Sequence, residues 1–320
     1  GTGAVTLGDN VTLAARNWYI IGAGWEEGAG QPGAFHGAIR LGANTTLAGT
    51  LNLMGDASVR ATGAFATVSA KLFGNYDLTA RSGWGDGTIN FTGDNTGWAG
   101  SYTIGSGGTY PTFAAAFAAA ACGVAGPVVF QVLTNSGPFN EQIVINEIPG
   151  MSATNTITVK GNNNLLSFAS SNTNERHTLF LNGADFLRFE DLIIEAAGTT
   201  VGWAVRMGNS ANNNTFKRCV IRTSETSTSS SFAAFTLTQS ATAATGTQTG
   251  TASNLLIDSC QIVGGYYGLC LNGSGLSLAS QPTNNTVRNT SISNFYIYGV
   301  YSYGQNNLTF EYNDINRLTR

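Results

Sequence analysis

A short phrase, usually headed by asparagine, recurs through the second half of the chain and constrains its fold more than any other feature. It reads NNTFKRCVI at 213–221, SNLLIDSCQI at 253–262, NNTVRNTSI at 284–292 and NNLTFEYNDI at 306–315, and DFLRFEDLII at 185–194 has the same form. The central apolar residues are spaced by 27, 41, 30 and 23 residues: Phe189, Phe216, Ile257, Val287 and Phe310. A fixed phrase at unequal intervals of this size is typical of a solenoid whose coils differ in loop length.

The position that follows each centre predicts how the coils stack. It is always charged and its sign alternates along the chain: Glu190, Lys217, Asp258, Arg288 and Glu311. Parallel strands in register lie about 4.8 Å apart, so each of these charges would lie between two of opposite sign. Each exposed pair contributes at most about 1 kcal/mol, so the column indicates register more than stability.

Two further columns follow from the same alignment. The residue three before each centre is an asparagine, which we expect to be buried and to stack its amide on the next coil: Asn213, Asn254, Asn284 and Asn307. An isoleucine five after each centre should point inward after a bend: Ile194, Ile221, Ile262, Ile292 and Ile315. A third strand per coil is predicted at 202–207, 232–237, 267–271 and 299–303.

The opening of this region, YTIGSGGTYPTFAAAFAAAACG (102–123), predicts a strand, a turn and a short helix near 112–122 that begins after Thr112. With three strands per coil, residues 101–320 resemble the right-handed parallel β-helix of the pectin-lyase-like superfamily. The opening is similar to that of pectin methylesterases, which implies that the helix caps the first coil. The predicted fold class is therefore all-β, a solenoid with one internal capping helix.

Residues 1–100 use a different phrase, an apolar residue and glycine followed by a polar turn: LGDNVTL (7–13), LGANTTL (41–47), LMGDASV (53–59) and FTGDNTGW (91–98). These segments resemble the β-repeats of autotransporter-type passenger domains and adhesins. They predict turns between short strands of a β-solenoid, with 17–37 as a long connecting loop. A small separate β-sandwich is the alternative for this region.

Composition excludes several classes of function. Only 10% of the residues are charged, against about 25% in ordinary soluble proteins, and the net charge is −3 without a basic stripe. We therefore expect no nucleic-acid partner. No apolar run approaches the roughly 18 residues of a membrane span. The chain shows neither an initiator methionine nor a signal peptide, which suggests a mature product or an excised segment.

The cysteines and histidines show no metal-ligand spacing, so we expect no metal and no cofactor. Two interpretations of Cys219 and Cys260, which share one column, are open: small buried residues, or a disulfide between neighbouring coils. Cys270 is expected on an outward face together with Arg206. His177 lacks a recognisable catalytic partner and is expected in a solvated loop.

The resemblance implies polysaccharide lyases, hydrolases or methylesterases, but the catalytic phrases of methylesterases are missing. Gly202 to Val205 stand where their glutamine is required, and Glu225-Thr226-Ser227 where their acid is required. Most remaining carboxylates fall in columns with Arg or Lys, as Asp191 does opposite Arg218, which favours salt bridges and low acidity. We predict no catalytic residue.

Aromatic residues near the third strands suggest one binding surface. Trp203, Tyr267, Tyr298 and Tyr301 are the candidates for stacking on sugar rings, and the alternative is an aromatic ladder that stiffens the solenoid.

The leading hypothesis is a non-catalytic structural or adhesive module of a secreted or cell-surface bacterial protein, a segment of a filament or giant adhesin. The alternatives are a carbohydrate-active enzyme and a non-catalytic sugar-binding module. No polar cap follows Ile315, so we expect the array to continue, through further domains or other copies stacked end to end. Surface polysaccharide is the other expected partner.

Overall fold

The repeated phrases lie in short β-strands, as their alternation of apolar and polar residues requires. The structure, a computed structural model, describes residues 4–24, 37–73, 76–82, 87–92, 98–246, 252–273 and 277–318. The chain divides into two units, Gly1–Gly97 and Trp98–Arg320, close to the change of repeat phrase near residue 100.

The described residues of the first unit form one sheet of eight strands, and every strand pair in it is parallel. Its strands are β1 (Val5–Leu7), β2 (Thr12–Gly22), β3 (Ile39–Leu41), β4 (Thr46–Ala61), β5 (Phe65–Val68), β6 (Lys71–Phe73), β7 (Leu78–Ser82) and β8 (Thr88–Phe91). Parallel pairing is the arrangement of stacked coils, whereas hairpin-linked sandwiches pair antiparallel strands. The buried side chains of the unit include Leu41, Leu47, Leu51, Val59 and Val68.

Two of the predicted turns in this unit stack directly on each other. Asn10 and Asn44 both adopt left-handed backbone, with φ of 59° and 56°. The Asn44 amide donates to the Asn10 side-chain oxygen at 3.2 Å, and the backbone N–H of Ala43 donates to the Asp9 carboxylate at 2.7 Å. Asparagine tolerates this backbone region better than most residues, which explains its place in the phrase.

Two expectations for the first unit are wrong. Segment 53–59 is not a turn, because it lies inside β4, where the register with β2 shifts between Ile20 and Gly22. The glycine phrase there makes a β-bulge instead. Likewise the expected connecting loop 17–37 begins within β2, which continues to Gly22. Residues 25–36 of that loop, and most of the predicted turn at 91–98, lie outside the described residues.

The described residues of the second unit form short strands and one α-helix. They are β9 (Gly100–Ile104), α1 (Phe113–Ala120), β10 (Val128–Val132), β11 (Phe139–Asn140), β12 (Ile143–Asn146), β13 (Ile157–Lys160), β14 (Leu165–Phe168), β15 (His177–Asn182), β16 (Leu187–Glu190), β17 (Ile193–Ala196), β18 (Gly202–Gly208), β19 (Thr215–Lys217), β20 (Val220–Arg222), β21 (Phe232–Leu237), β22 (Leu256–Asp258), β23 (Gln261–Val263), β24 (Tyr267–Asn272), β25 (Thr286–Arg288), β26 (Ser291–Ser293), β27 (Tyr298–Tyr303), β28 (Thr309–Glu311) and β29 (Asp314–Asn316), with a 3-10 turn at Leu278–Ser280.

These strands form three parallel sheets that the chain visits in rotation. Sheet 1 has the order β28-β25-β22-β19-β16-β13-β10-β9, sheet 2 the order β11-β14-β17-β20-β23-β26-β29, and sheet 3 the order β12-β15-β18-β21-β24-β27. From β10 onward, one strand of each sheet makes a coil, and the next coil pairs with it in register. The prediction of an all-β chain of stacked parallel strands is therefore confirmed at this level, and the third strands lie where the sequence placed them.

The predicted centres fill the space between the three sheets. Phe189, Phe216, Ile257 and Val287 are buried and stand opposite one another in sheet 1, where the rings of Phe189 and Phe216 stack at 5.1 Å. The isoleucine column lies on sheet 2 in the same way, from Ile194 to Ile292. Burial of this column supplies the main force that closes each coil.

The helix is present where the sequence predicts it. Thr112 caps it, since its hydroxyl accepts the backbone N–H of Ala115 at 3.1 Å. The Glu141 carboxylate accepts two further N–H groups at the helix N-terminus, from Phe113 and Ala114 at 3.1 and 2.8 Å. On the buried face, Phe113 packs edge-on against Phe139 of the first coil.

Candidate functional site

The charge column lies in sheet 1 with the register that the sequence predicts for it. Lys217 stands opposite Glu190 in one neighbouring strand and Asp258 in the other, and Arg288 stands between Asp258 and Glu311. Arg288 closes an ion pair with Asp258 at 3.0 Å. The column also extends one step further back, because Lys160 stands opposite Glu190.

The asparagine column makes the expected amide chain but is not buried. The side chain of Asn254 donates to Asn213 at 3.0 Å, Asn284 to Asn254 at 3.4 Å and Asn307 to Asn284 at 2.6 Å. Asn254, Asn284 and Asn307 are exposed and Asn213 is half-buried, so the expectation of a buried column is wrong. All four have φ between 56° and 59°, a left-handed corner that places their side chains at the surface.

The buried amides are the residues that follow, which the sequence reasoning missed. Asn214 and Asn285 are fully enclosed. The oxygen of Asn214 accepts the backbone N–H of Leu187, and that of Asn285 accepts the N–H of Leu255, each at 2.9 Å. The doubled asparagines at 213–214 and 284–285 are the sequence signal for these buried amides. The first residue of each pair adopts the left-handed backbone of the corner. The second accepts a backbone N–H from the neighbouring coil.

Cys219 and Cys260 lie in adjacent coils, buried, and both are free thiols. The Cys219 backbone N–H donates to the Cys260 sulfur at 3.4 Å. The hydrogen bond with Cys260, together with burial, raises the pKa of the Cys219 thiol above its usual value. Of the two interpretations left open, the structure has the reduced pair.

The aromatic surface differs from the one expected. Trp203 is completely buried, so it cannot stack on a sugar. Cys270, expected to be exposed, is also completely buried, and burial raises the pKa of its thiol to about 12. Arg206, expected to share that outward face, is buried as well.

The reason is a cover segment, residues 238–246, which folds back over the outer face of sheet 3. The Ala244 carbonyl accepts the Thr236 hydroxyl at 3.1 Å and the Cys270 thiol at 3.2 Å. The Gln239 carbonyl accepts the Arg206 guanidinium at 2.7 Å. This segment, which follows β21 in the chain, therefore supplies a second layer on that strand and its neighbours.

The other three aromatic candidates, Tyr267, Tyr298 and Tyr301, lie in contact with one another. Tyr267 and Tyr298 stack at 5.4 Å with an interplanar angle of 7°. Tyr301 meets both rings edge-on, at 5.9 and 5.7 Å. Tyr298 is 40% exposed, while Tyr267 and Tyr301 are half-buried. This tyrosine cluster is both a ladder between coils and a partly accessible aromatic surface.

His177 is not in a solvated loop, and that expectation is wrong. It is the first residue of β15, only 3% exposed, and it pairs with Trp203 of β18. Burial, and then the charge of Arg206, lower its pKa to about 4, so the imidazole is neutral at neutral pH.

The carboxylates of the second unit serve mostly in structural contacts. Asp191 forms a two-pronged ion pair with Arg218, each contact 2.7 Å, as predicted, and this bond lowers the pKa of Asp191. Arg222 pairs with Glu195. Burial raises the pKa of Asp185, but this carboxylate accepts the backbone N–H of Asn212 at 2.5 Å, inside a turn.

A cleft of about 660 Å³ lies beside sheet 2, between residues 195–199 and 222–227. It contains the Glu195–Arg222 pair, and the Glu225 carboxylate beside it accepts the Asn294 amide at 2.7 Å. The segment 225–227, which aligns with the acid phrase of methylesterases, thus lines a polar cleft. Gly202 to Val205, aligned with their glutamine phrase, are buried in β18.

Within the described ranges, no group of three or more His, Cys, Asp or Glu residues is arranged to hold a metal ion. In the same part of the chain, no helix combines the length and the hydropathy needed to cross a membrane.

Comparison with known proteins adds no relative. No family model matches the chain. No curated protein sequence and no solved structure matches it either. The class of protein is therefore defined by the described architecture alone: an all-β chain of stacked parallel sheets.

Proposed function

We propose that the chain is a non-catalytic structural or adhesive module of an extracellular or cell-surface bacterial protein, as part of a filament or giant adhesin. In this proposal the second unit is a right-handed parallel β-helix of the pectin-lyase-like kind. The first unit is an autotransporter-like β-repeat region. The observation that carries the proposal is that polar groups facing outward from the coils are engaged mainly with the next coil.

Three kinds of contact support this mechanical role. Charges alternate in register along sheet 1, as at Glu190, Lys217 and Asp258. Asparagine amides at the surface corner form a continuous chain from Asn213 to Asn307. Backbone hydrogen bonds of three parallel sheets join the same coils. Together they tie each coil to its neighbours along the three sheets and at the asparagine corner, which suits a load-bearing element.

The same contacts argue against acid–base catalysis. A general acid at neutral pH needs a raised pKa, whereas the ion pair with Arg218 lowers that of Asp191.

The direct test is incubation of the full chain with pectin, alginate and chondroitin, followed by assay of new reducing ends. We expect no turnover. Activity that is lost in Glu195→Gln or Glu225→Gln would instead assign an enzyme site to the polar cleft.

Association with further coils, from the same protein or from other copies, is part of the proposal. Phe310 and Ile315 occupy core positions of their columns but are 37% and 45% exposed. We expect sedimentation velocity to show species that grow with concentration, filaments in negative stain, and weaker association in Ile315→Asp. Thr226→Asp, an exposed residue of the cleft, is the control. A monomer at all concentrations would contradict end-to-end stacking.

Sugar binding at the tyrosine cluster is a second candidate function, and surface polysaccharide would be its ligand. The stacked Tyr267 and Tyr298 rings with an accessible face favour it. On a glycan array, Tyr298→Ala and Tyr301→Ala should lose any signal that wild type gives, while Tyr312→Ala, exposed at another corner, keeps it. If wild type binds no glycan, the cluster serves only as a ladder.

A further inference from the structure

Two arginines each lie close to the ring of one tryptophan on the outer face of sheet 3, and among the described residues neither has an acidic partner. The guanidinium carbons of Arg176 and Arg206 lie 5.4 and 5.9 Å from the centre of the Trp203 ring. Among the described residues, no carboxylate forms an ion pair with either guanidinium. Burial alone lowers the pKa of both, that of Arg206 to about 10. Two partly desolvated cations without a counter-charge are costly in a folded chain.

Unused hydrogen-bonding groups lie at the same place. The indole nitrogen of Trp203 and both ring nitrogens of His177 are buried without a hydrogen-bond partner. His177 and Trp203 pair directly across β15 and β18. A buried donor without an acceptor costs about 1–3 kcal/mol, so one such group is uncommon and two adjacent residues with such groups are unusual.

Arg206 is held in a fixed orientation rather than left mobile. Its guanidinium lies 4.1 Å from the centre of the Phe180 ring and donates to two carbonyls of the cover segment, those of Thr238 and Gln239. Arg176 is anchored through Nε to the Thr173 carbonyl at 2.8 Å and remains half-buried at the edge of the layer. Fixed cations with spare donors are the arrangement that binds anions.

We propose that Arg176, His177, Trp203 and Arg206 form a binding site for an oxyanion, a carboxylate, sulfate or phosphate group. Such a group supplies the counter-charge that both guanidinium groups lack and acceptors for the indole N–H and one imidazole N–H. A cation is excluded by the two positive charges. Arg176, the most accessible of the four, is the side from which the group enters. This site does not depend on the proposed structural or adhesive role.

The test is a titration followed at the indole N–H of Trp203. Its ¹H–¹⁵N resonance is assigned with Trp203→Phe, and sodium sulfate or phosphate is added at ionic strength held constant with sodium chloride. We expect a saturable shift of that resonance. Arg176→Gln and Arg206→Gln should each weaken binding at least tenfold, and Arg188→Gln, an exposed arginine of sheet 1, should not.

The source of the group is distinguished by comparing sulfate with glucose 6-sulfate, with glucose as the control. Tighter binding of the sugar sulfate indicates a group carried on a larger molecule, and equal binding indicates a free ion. If Arg206→Gln does not fold, Arg176→Gln still decides, because its side chain is half-buried. A resonance that does not move, or that moves equally in wild type and Arg176→Gln, overturns the proposal.

Discussion

The backbone N–H of Cys219 donates to the sulfur of Cys260 in the next coil, at 3.4 Å. The following coils repeat this contact with other chemistry: the Cys260 N–H donates to the Thr290 hydroxyl at 3.3 Å, and the Thr290 N–H to the Asn313 side chain at 3.0 Å. Thiol, hydroxyl and amide oxygen therefore serve one purpose, which is to satisfy the N–H that follows each bend. The cysteine pair has a role as free thiols, without a disulfide.

Two substitutions of Cys260 should distinguish the contribution of its hydrogen bond to the free energy of unfolding from that of its packing. Cys260→Thr keeps an acceptor of the type found at Thr290 and should change the free energy of unfolding by less than about 1 kcal/mol. Cys260→Ala leaves the Cys219 N–H buried without a partner and should cost about 1–3 kcal/mol. Urea unfolding under reducing conditions measures both. Equal losses in the two variants would show that volume, not the acceptor, is what matters at this position.

Left-handed corners predict a stabilising substitution. Phe186 has φ of 57° and occupies the corner that Asn213, Asn254 and Asn284 occupy in later coils. A bulky residue in this region is strained by about 1–2 kcal/mol, and asparagine relieves part of that strain. Phe186→Asn should therefore raise the free energy of unfolding by about 1 kcal/mol. Phe186→Ala is the control, since it removes the ring but keeps the strain, and it should not stabilise.

These corners and columns show which parts of the fold are readable from sequence. Left-handed backbone selects asparagine, so Asn213, Asn254 and Asn284 mark the corners directly. Stacked strands in register bring equal positions together, so alternating charge at Glu190 and Lys217 is visible in the alignment. Both signals are preferences for a residue type at one position, and each preference recurs once per coil. Repetition allowed the register to be derived without knowledge of any tertiary contact.

The outer layer on sheet 3 was not readable for the opposite reason. Periodicity places Arg206 and Cys270 away from the core, but it does not say whether another segment covers them. The cover segment has no repeat and consists mostly of Ser, Thr and Ala residues, a composition that resembles a solvated loop. Only its contacts, such as Ala244 with Thr236 and Cys270, reveal that it is packed. The burial of Trp203 and His177 follows from such contacts and not from pattern.

Buried His177 predicts a loss of stability in mild acid. Its pKa is about 4 in the folded chain and near 6.5 when unfolded, so the unfolded state binds more protons between these values. Its contribution is thus present above about pH 6.5 and is lost as the pH falls toward 4. The loss should reach about 3 kcal/mol. In His177→Phe, the urea midpoint of unfolding should depend less on pH between pH 7 and 4.5 than in wild type. An equal pH dependence in the two proteins would contradict this assignment.

Asp258 predicts a second, more acidic transition, which arises from the charge column itself. Its carboxylate accepts the Asn289 amide at 3.1 Å and the Arg288 guanidinium at 3.0 Å, and the Ser259 hydroxyl at 3.0 Å. The Asn289 and Arg288 bonds are the main causes that lower its pKa to about 2. A carboxyl whose pKa is lowered on folding stabilises above its ordinary value near 4. That contribution is lost as the pH falls from about 4 to 2.

Asp258→Asn should therefore cost more stability at neutral pH than at pH 2.5, where part of the contribution has already been lost. The amide cannot act as the anion between Lys217 and Arg288, so we expect a cost of about 2 kcal/mol at pH 7. The matched control is Asp314→Asn, an exposed residue of sheet 2, which should change the urea midpoint at neither pH. An equal loss in Asp258→Asn at both pH values would mean that hydrogen-bond geometry, and not charge, joins these coils. The alternating column would then serve to set register alone.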